Sequence, residues 1–428
     1  MNIFYRLAVL CVLLSYATMA SAVSDDEFAE LKAQFLELSQ RMSALEAENK
    51  RLREQSVTTL SELRGTRAEL TDTRDDLAVV KEQKNSSDWT DRITLKGDFR
   101  YRYEEIKVEG EDRRDRNRIR ARPELIAKLP QNVTVGFGLA TGSNDPVSAN
   151  QTLGGGNDSK QINLNLAYAK WYPIESLYLE AGKFKNPLLR PQGTGLLWDS
   201  DWTPEGLNVG WSNDYAFATG IVNWLESDSN ARETDEVAWL VQAGLTFDFS
   251  VGELVTAAGY YHFPIKGNES YFRNRFFGNS FVEVNGVDVY EFDYDLVELS
   301  AVFKTRVFDQ PLTFFADYVE NQDPDDFNTG WLAGVQLGKA DDRGKWQLAY
   351  QFEDLEADAA VGLLTDSNFA GGGTDGRGSR ISGAYGINKQ WKLAFTWFVD
   401  NEFGEKAFED EGGALNYSRF IVDTLFKY

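Results

Sequence analysis

The stretch RRDRNRIRARPEL, residues 113–125, places an arginine at every even position from Arg114 to Arg122. The odd positions that follow are Ile119, Ala121, Pro123 and Leu125. A helix would scatter these charges around its circumference. A strand gathers them, because successive side chains point to opposite faces. The stretch therefore predicts a strand with one wet face and one apolar face. Its upstream neighbour has the same pattern: Ile93, Leu95, Phe99, Tyr101 and Tyr103 alternate with Thr94, Lys96, Asp98, Arg100, Arg102 and Glu104.

The period of two persists to the end of the chain, as in VAWLVQAGLTFDF (237–249), KWQLAYQFE (345–353), RISGAYGIN (380–388) and WKLAFTWFVD (391–400). Short connections near 130–132, 173–176, 213–214, 250–253, 309–311, 340–344 and 388–390 alternate with long ones. The long ones lie near 105–113, 142–160, 185–206, 226–236, 264–290, 321–328, 354–378 and 402–416. Seven short and eight long connections separate sixteen strands. A soluble sandwich would not sort its connections so regularly. It would also bury one face of each strand, whereas here the non-apolar faces carry charge. Trp171, Trp211, Trp224, Trp331, Trp346 and Trp391 fall near strand ends, where a membrane barrel carries its aromatic girdles. A mean hydropathy of −0.41 is compatible with strands whose second face is wet. Phe420, Val422, Phe426 and the final Tyr428 share one register, like the terminal assembly signal of outer-membrane barrels. The expected fold is an all-β transmembrane barrel of about 16 antiparallel strands over residues 85–428, preceded by a long α-helical coiled coil.

That preceding segment, 23–84, has few glycines and no proline. With Phe28 at heptad position a, eleven of sixteen a and d residues to Val80 are apolar, which predicts a coiled coil. The other reading is one amphipathic helix folded back on a domain. Asn49 at an a position would fix register, and the polar run Asn49–Thr59 predicts a fray or bend. From Phe28 to Val80 the helix would reach ~80 Å, enough to approach peptidoglycan. Residues 1–22 combine Arg6, the apolar run LAVLCVLLSYA and a terminal ASA, and read as a signal peptide with the mature chain starting at Val23. Cys11 is the only cysteine, so the mature chain would have no disulfide. Export, the barrel and the helix together predict an outer-membrane location with a periplasmic coiled coil.

A formal charge of −23 argues against nucleic-acid binding, which needs a basic surface. Most acids are expected in surface loops. If odd residues of 93–129 face lipid, then Arg100, Arg102, Arg116, Arg118, Arg120 and Arg122 line the pore, since a lipid-facing arginine at the midplane costs ~2–4 kcal/mol. Such a row either sets a positive field that favours anions or braces the wall against acids from a loop. The loop NPLLRPQGTGLLWDSDWTPEG, 186–206, offers Asp199, Asp201 and Glu205 as constriction acids amid Leu188, Leu189, Leu196, Leu197, Trp198 and Trp202. Long structured loops are usually functional. This one either enters the lumen or forms an external lid or subunit contact.

The segments GDFRYRYE, RRDRNRIRARPEL, VTVGFGLATGSNDPVSANQTLGGG, GKFKNPLLRP and LLWDSDWTPEGLNV resemble the putative porin family of Gram-negative outer membranes, over roughly residues 89–428. The resemblance implies a trimeric barrel channel for passive diffusion and names no solute; the expected reading is a porin for small hydrophilic solutes, set in outer-membrane lipid and lipopolysaccharide. The N-terminal coiled coil is similar in arrangement to that of some sugar-selective porins. The alternative is an outer-membrane anchor whose coiled coil spans the periplasm to the cell wall.

Catalysis is not expected. His262 is the only histidine and no G-x-S-x-G elbow is present. The runs GGG at 154–156 and 371–373 lack the Lys-Ser/Thr of a phosphate loop and read as flexible loops. The acidic runs 323–327 and 409–411 lack EF-hand spacing and read as solvated loops, so neither metal nor cofactor is expected.

Overall fold

The computed structural model describes residues 25–83, 89–227, 236–408 and 413–428. The candidate signal segment 1–22, its Cys11, the start at Val23 and the acidic run 409–411 lie outside the described residues. The chain forms two compact units, divided after Asp88.

The first unit is one helix, α1, Asp25–Gln83. It continues through Asn49–Thr59, where a bend was expected. The polar side chains there bond back to their own helix instead of opening it: Asn49 Nδ2 donates to the Leu45 carbonyl and Thr58 Oγ1 to that of Glu54, each at 3.0 Å. The seam residues Phe35, Leu38, Met42, Leu45, Leu52, Leu63 and Leu70 are all exposed in the single chain.

The second unit is a closed antiparallel barrel of sixteen strands. They are β1 (Ile93–Val108), β2 (Arg114–Leu129), β3 (Val133–Thr141), β4 (Ile162–Ile174), β5 (Leu177–Lys183), β6 (Glu205–Ser212), β7 (Ala216–Glu226) and β8 (Glu236–Phe249). The second half comprises β9 (Gly252–Phe263), β10 (Tyr294–Val307), β11 (Gln310–Asn321), β12 (Thr329–Gly338), β13 (Trp346–Leu355), β14 (Gly376–Gly386), β15 (Trp391–Phe403) and β16 (Leu415–Lys427). β1 pairs with β16 from Asp98↔Lys427 to Val108↔Tyr417, so no edge is left open to lipid. Among the described residues no helix is long and apolar enough to cross a membrane; the strands are the crossing elements.

Connections alternate in length from 130–132 onward, except that 322–328 and 339–345 are equally long at seven residues each. The first loop, 109–113, is also shorter than expected, because β1 pairs as far as Val108. Outside the barrel, Leu95, Phe99, Tyr101, Leu125, Trp171, Trp211, Trp331 and Trp346 are exposed. Inside, the β7–β13 half packs against the loops. Phe184, Leu188, Leu196, Leu197, Trp198 and Trp202 of the third loop (184–204) join Phe272 and Phe276 of the fifth (264–293) and Leu363 and Leu364 of the seventh (356–375) in one apolar core.

The seventh loop corrects the flexible reading of Gly371–Gly373. Gly373 adopts φ 104°, and a Cβ there would stand 2.2 Å from the Phe277 carbonyl oxygen. The glycine is a packing requirement, not slack. Gly154–Gly156, in contrast, stand exposed in the second loop (142–161).

Candidate functional site

The β1–β2 register joins even residues to even residues: Asp98↔Arg122, Arg100↔Arg120, Arg102↔Arg118 and Glu104↔Arg116. Pleating therefore puts all eight side chains on the inner face, where Arg100, Arg102, Glu104 and Arg120 are buried. β16 adds Arg419 and Asp423, brought beside β1 by closure of the barrel.

These charges interlock. Arg102 grips Asp423 with two parallel hydrogen bonds of 2.8 Å, Nε to Oδ1 and Nη2 to Oδ2. Arg100 Nε stands 3.8 Å from the same carboxylate. Glu104 takes three guanidinium groups: Arg116 at 2.7 Å, Arg118 at 3.5 Å, and Arg419. Lower on the wall, Asp98 accepts from Arg120 at 2.9 Å and from Arg122 at 2.7 Å.

The third loop reaches this cluster through Asp201. Its Oδ1 accepts from Arg120 Nη1 at 3.0 Å and from Arg122 Nη1 at 2.7 Å, and its Oδ2 accepts the Ala149 N–H of the second loop. The other side of the same loop is fixed to β8, where the Leu189 N–H donates to Gln242 Oε1 at 2.7 Å. Between those ends Trp198 stacks on Trp202 with centroids 4.7 Å apart and meets Tyr261 edge-on at 5.1 Å. The loop's apolar residues thus pack on one part of the inner wall while its acid meets the arginines of another.

Asp199 does not touch the arginines. Its Oδ1 accepts the Asp201 N–H at 2.7 Å and its Oδ2 accepts the Ser367 N–H of the seventh loop at 2.9 Å. Burial raises this carboxyl, the neighbouring Asp201 and Asp366 charges add to the effect, and it is pushed up to about 7. Asp201 moves the other way: burial opposes its ionisation, but Arg120, Arg122 and Arg100 outweigh that and hold it below the usual carboxylate range.

Glu205 departs from the expectation. It opens β6, where Leu207, Val209 and Trp211 face outward, and it shares their parity. Its partner is Lys183 at 2.7 Å, outside the arginine cluster. Not every acid lies in a loop. Asp98, Glu104, Glu124, Glu180, Glu298, Asp317, Glu353 and Asp423 all point inward from strands.

Sequence reasoning also missed the seventh loop. The Asp199 N–H donates to the Leu364 carbonyl at 2.7 Å, and the Asp366 N–H to that of Gly195 at 2.9 Å, so two loops are clipped together. Asn368 Oδ1 then accepts from Arg102 Nη1 at 3.2 Å. The signal was present: like 186–206, the segment VGLLTDSNFAGGG (361–373) mixes apolar residues with an aspartate. His262 lies on the outer face of β9, 2.6 Å from Asp295 and tilted against Trp239. Asp323 accepts the Asp293 N–H and faces Lys266 at 4.0 Å.

The family profile described as Putative porin matches residues 108–286 and 275–418. The chain belongs to this porin family. Among solved structures it is similar to OprB of Pseudomonas putida at high pH, with 12% identity, a TM-score of 0.54, and 79% of this chain and 95% of that one covered. A mutant of Rhodopseudomonas blastica porin matches with 12% identity and a TM-score of 0.47, covering 78% and 100%. Vibrio cholerae OmpT lacking its eighth loop matches with 10% identity and a TM-score of 0.46, covering 79% and 100%. Among curated protein sequences none matches. Family and fold make this porin an outer-membrane channel barrel and point away from an enzyme.

Proposed function

We propose that this porin passes small hydrophilic solutes down their gradients as a homotrimer in the outer membrane. A transverse field would act at the narrowest point, between Arg100, Arg102, Arg116, Arg118, Arg120 and Arg122 on one side and the third-loop acids Asp199 and Asp201 on the other. The observation that carries this reading is Asp201, a loop carboxylate held by Arg120 and Arg122 of the wall. The same bonds also brace the loop, and a braced arginine row still sets the field. The coiled coil would join three chains in the periplasm; the exposed apolar seam of α1 supports partner helices. That seam also favours a second reading, in which α1 reaches towards the cell wall and the barrel anchors it. Lipopolysaccharide would surround the loop-side rim.

Single-channel conductance with reversal potentials in asymmetric salt tests the first reading. Replacing Arg118 and Arg120 with Ser should widen the pore and shift selectivity towards cations. Replacing Asp199 and Asp201 with Asn should shift it towards anions. Both shifts should shrink from ~0.1 to ~1 M salt, as the screening length falls from ~10 to ~3 Å. Unchanged reversal potentials at low salt would leave the arginines as a brace alone. For the coiled coil, deleting 25–84 should lower the trimer's resistance to heat and detergent while the barrel still inserts. Sedimentation of the isolated segment as a monomer at high micromolar concentration would contradict the assembly role.

A further inference from the structure

The arginine wall is not evenly compensated. Around Asp98 and Asp201 the account closes: Arg120 and Arg122, two cations, share two carboxylates. Closer to the loops it does not. Among the described residues Arg100, Arg102, Arg116, Arg118 and Arg419 have only Glu104 and Asp423 within ion-pair distance, so five guanidinium groups share two carboxylates and three positive charges remain. Among the described residues three buried donors in this group are also without a well-aligned hydrogen bond, Arg100 Nε, Arg116 Nε and Arg118 Nε, although Arg116 Nε stands 2.7 Å from Glu104. Arg118 has a single, long contact at 3.5 Å with a carboxylate that two nearer arginines already hold.

Buried charge without compensation is costly, and a guanidinium fork leaves its donors idle only where something else can meet them. Groups around this position are polar and neutral. Asn150 of the second loop accepts from Arg100, Asn368 of the seventh accepts from Arg102, and the Ser367 carbonyl accepts from Arg419 at 3.4 Å. Beyond them lie Asp201, already held by Arg120 and Arg122, and Asp145, which among the described residues forms no ion pair and whose Oδ1 accepts the Val147 N–H. Side chains of Arg116 and Arg118 keep 24% and 14% of their surface accessible, so a small solute can reach them.

From this geometry we infer an anion-binding subsite on the loop-ward half of the arginine wall. Arg100, Arg116 and Arg118 hold an oxyanion of the passing solute there, and a carboxylate fits their planar forks best. The subsite deepens the diffusion reading, since it makes small organic acids the favoured solutes, and it rests on that reading for its role in transport. Binding itself needs no conductance.

The test uses the full chain in detergent and saturation-transfer NMR with succinate and acetate as probes. Succinamide serves as the neutral counterpart of succinate, and phosphate, followed by its ³¹P linewidth, is the competing oxyanion. Succinate and acetate should take up saturation while succinamide does not, and tighter binding of phosphate would overturn the carboxylate assignment. Arg118→Ser should weaken succinate about tenfold, equivalent to one charge-assisted hydrogen bond of about 1.4 kcal/mol. Arg118→Lys keeps a charge without the fork and should fall between the two, which separates lost binding from misfolding. Equal saturation of succinate and succinamide, or no response in the unmodified chain, overturns the subsite. A chain that conducts with field-dependent selectivity but ignores succinate loses this inference alone. One that binds succinate but does not conduct loses only the transport reading.

Discussion

Two parts of the inner wall carry charge of opposite sign, and the chain treats them in opposite ways. On β1, β2 and β16 the arginines stand among carboxylates, asparagines and polar loop groups, and Arg122 keeps 28% of its side chain accessible. On β10, β11 and β13 the acids Glu298, Asp317 and Glu353 are sealed at 0%, 5% and 2% exposure. Glu298 is held by neutral donors, Gln242 at 2.8 Å and the Tyr261 hydroxyl, beneath the third loop. Facing inward is thus not the same as facing a pore. A carboxyl group sealed under an apolar loop is out of reach of a passing solute, whereas a guanidinium that keeps part of its surface accessible can be met by one.

The sharpest way to break that contrast is to neutralise one acid from each part. Glu104→Gln strips the carboxylate shared by three arginines and leaves buried cations unpaired, a loss of about 3–5 kcal/mol. Glu298→Gln keeps an oxygen in place for Gln242 and Tyr261 and should cost under about 1 kcal/mol. Midpoints of heat-induced gel-mobility change in detergent should rank the two variants in that order. Equal losses would mean that the sealed acid is as strongly charge-coupled as the paired one.

Next in size is removal of the loop's apolar anchor. Trp198→Ala empties a site between Trp202, Tyr261 and Phe263, a loss of about 3–5 kcal/mol for a buried aromatic. Much of that loss falls on a loop and not on the strand ladder. The barrel should still form, its conductance should rise, and its selectivity should weaken as Asp201 loses its fixed position. Unchanged conductance in a folded barrel would show that the polar clips to Gln242 and the seventh loop hold the third loop by themselves.

The sequence carried the barrel well, because a period of two is a local signal and parity alone assigns faces. Arg116 to Arg122 needed nothing more than counting. What escaped it depends on positions that counting cannot supply. Asp423 and Arg419 meet Arg102 and Glu104 only when β16 closes on β1, across more than 300 residues. Glu205 misled because parity has meaning only once a strand has begun, and whether it was the last loop residue or the first of β6 was not visible locally. Gly373 read as slack with its neighbours because its constraint, the Phe277 carbonyl, comes from another loop. The polar middle of α1 misled for the opposite reason: Asn, Ser and Thr weaken a seam between helices without breaking the helix that carries them.

The smallest expected effect lies where the two parts meet, at Asp199. Its carboxyl sits between Asp201, which the arginines hold ionised, and the seventh loop, and it is pushed up to about 7 against an ordinary value of 3.8. Between those two values the folded chain holds a proton that the unfolded chain has released. The unfolded state then binds fewer protons, so stability falls as pH rises through this window and levels off above about 7. The same titration reaches the pore as one added negative charge beside the arginine wall. Reversal potentials at low salt should therefore move towards cation preference between pH 6 and pH 8, by about one screened charge and less than for Asp201→Asn. Asp199→Asn should abolish the pH step while leaving the arginine–Asp201 pairs in place, because its Oδ1 still accepts the Asp201 N–H. A step of equal size in Asp199→Asn would assign the titration to another group and leave Asp199 as a fixed clip between the loops.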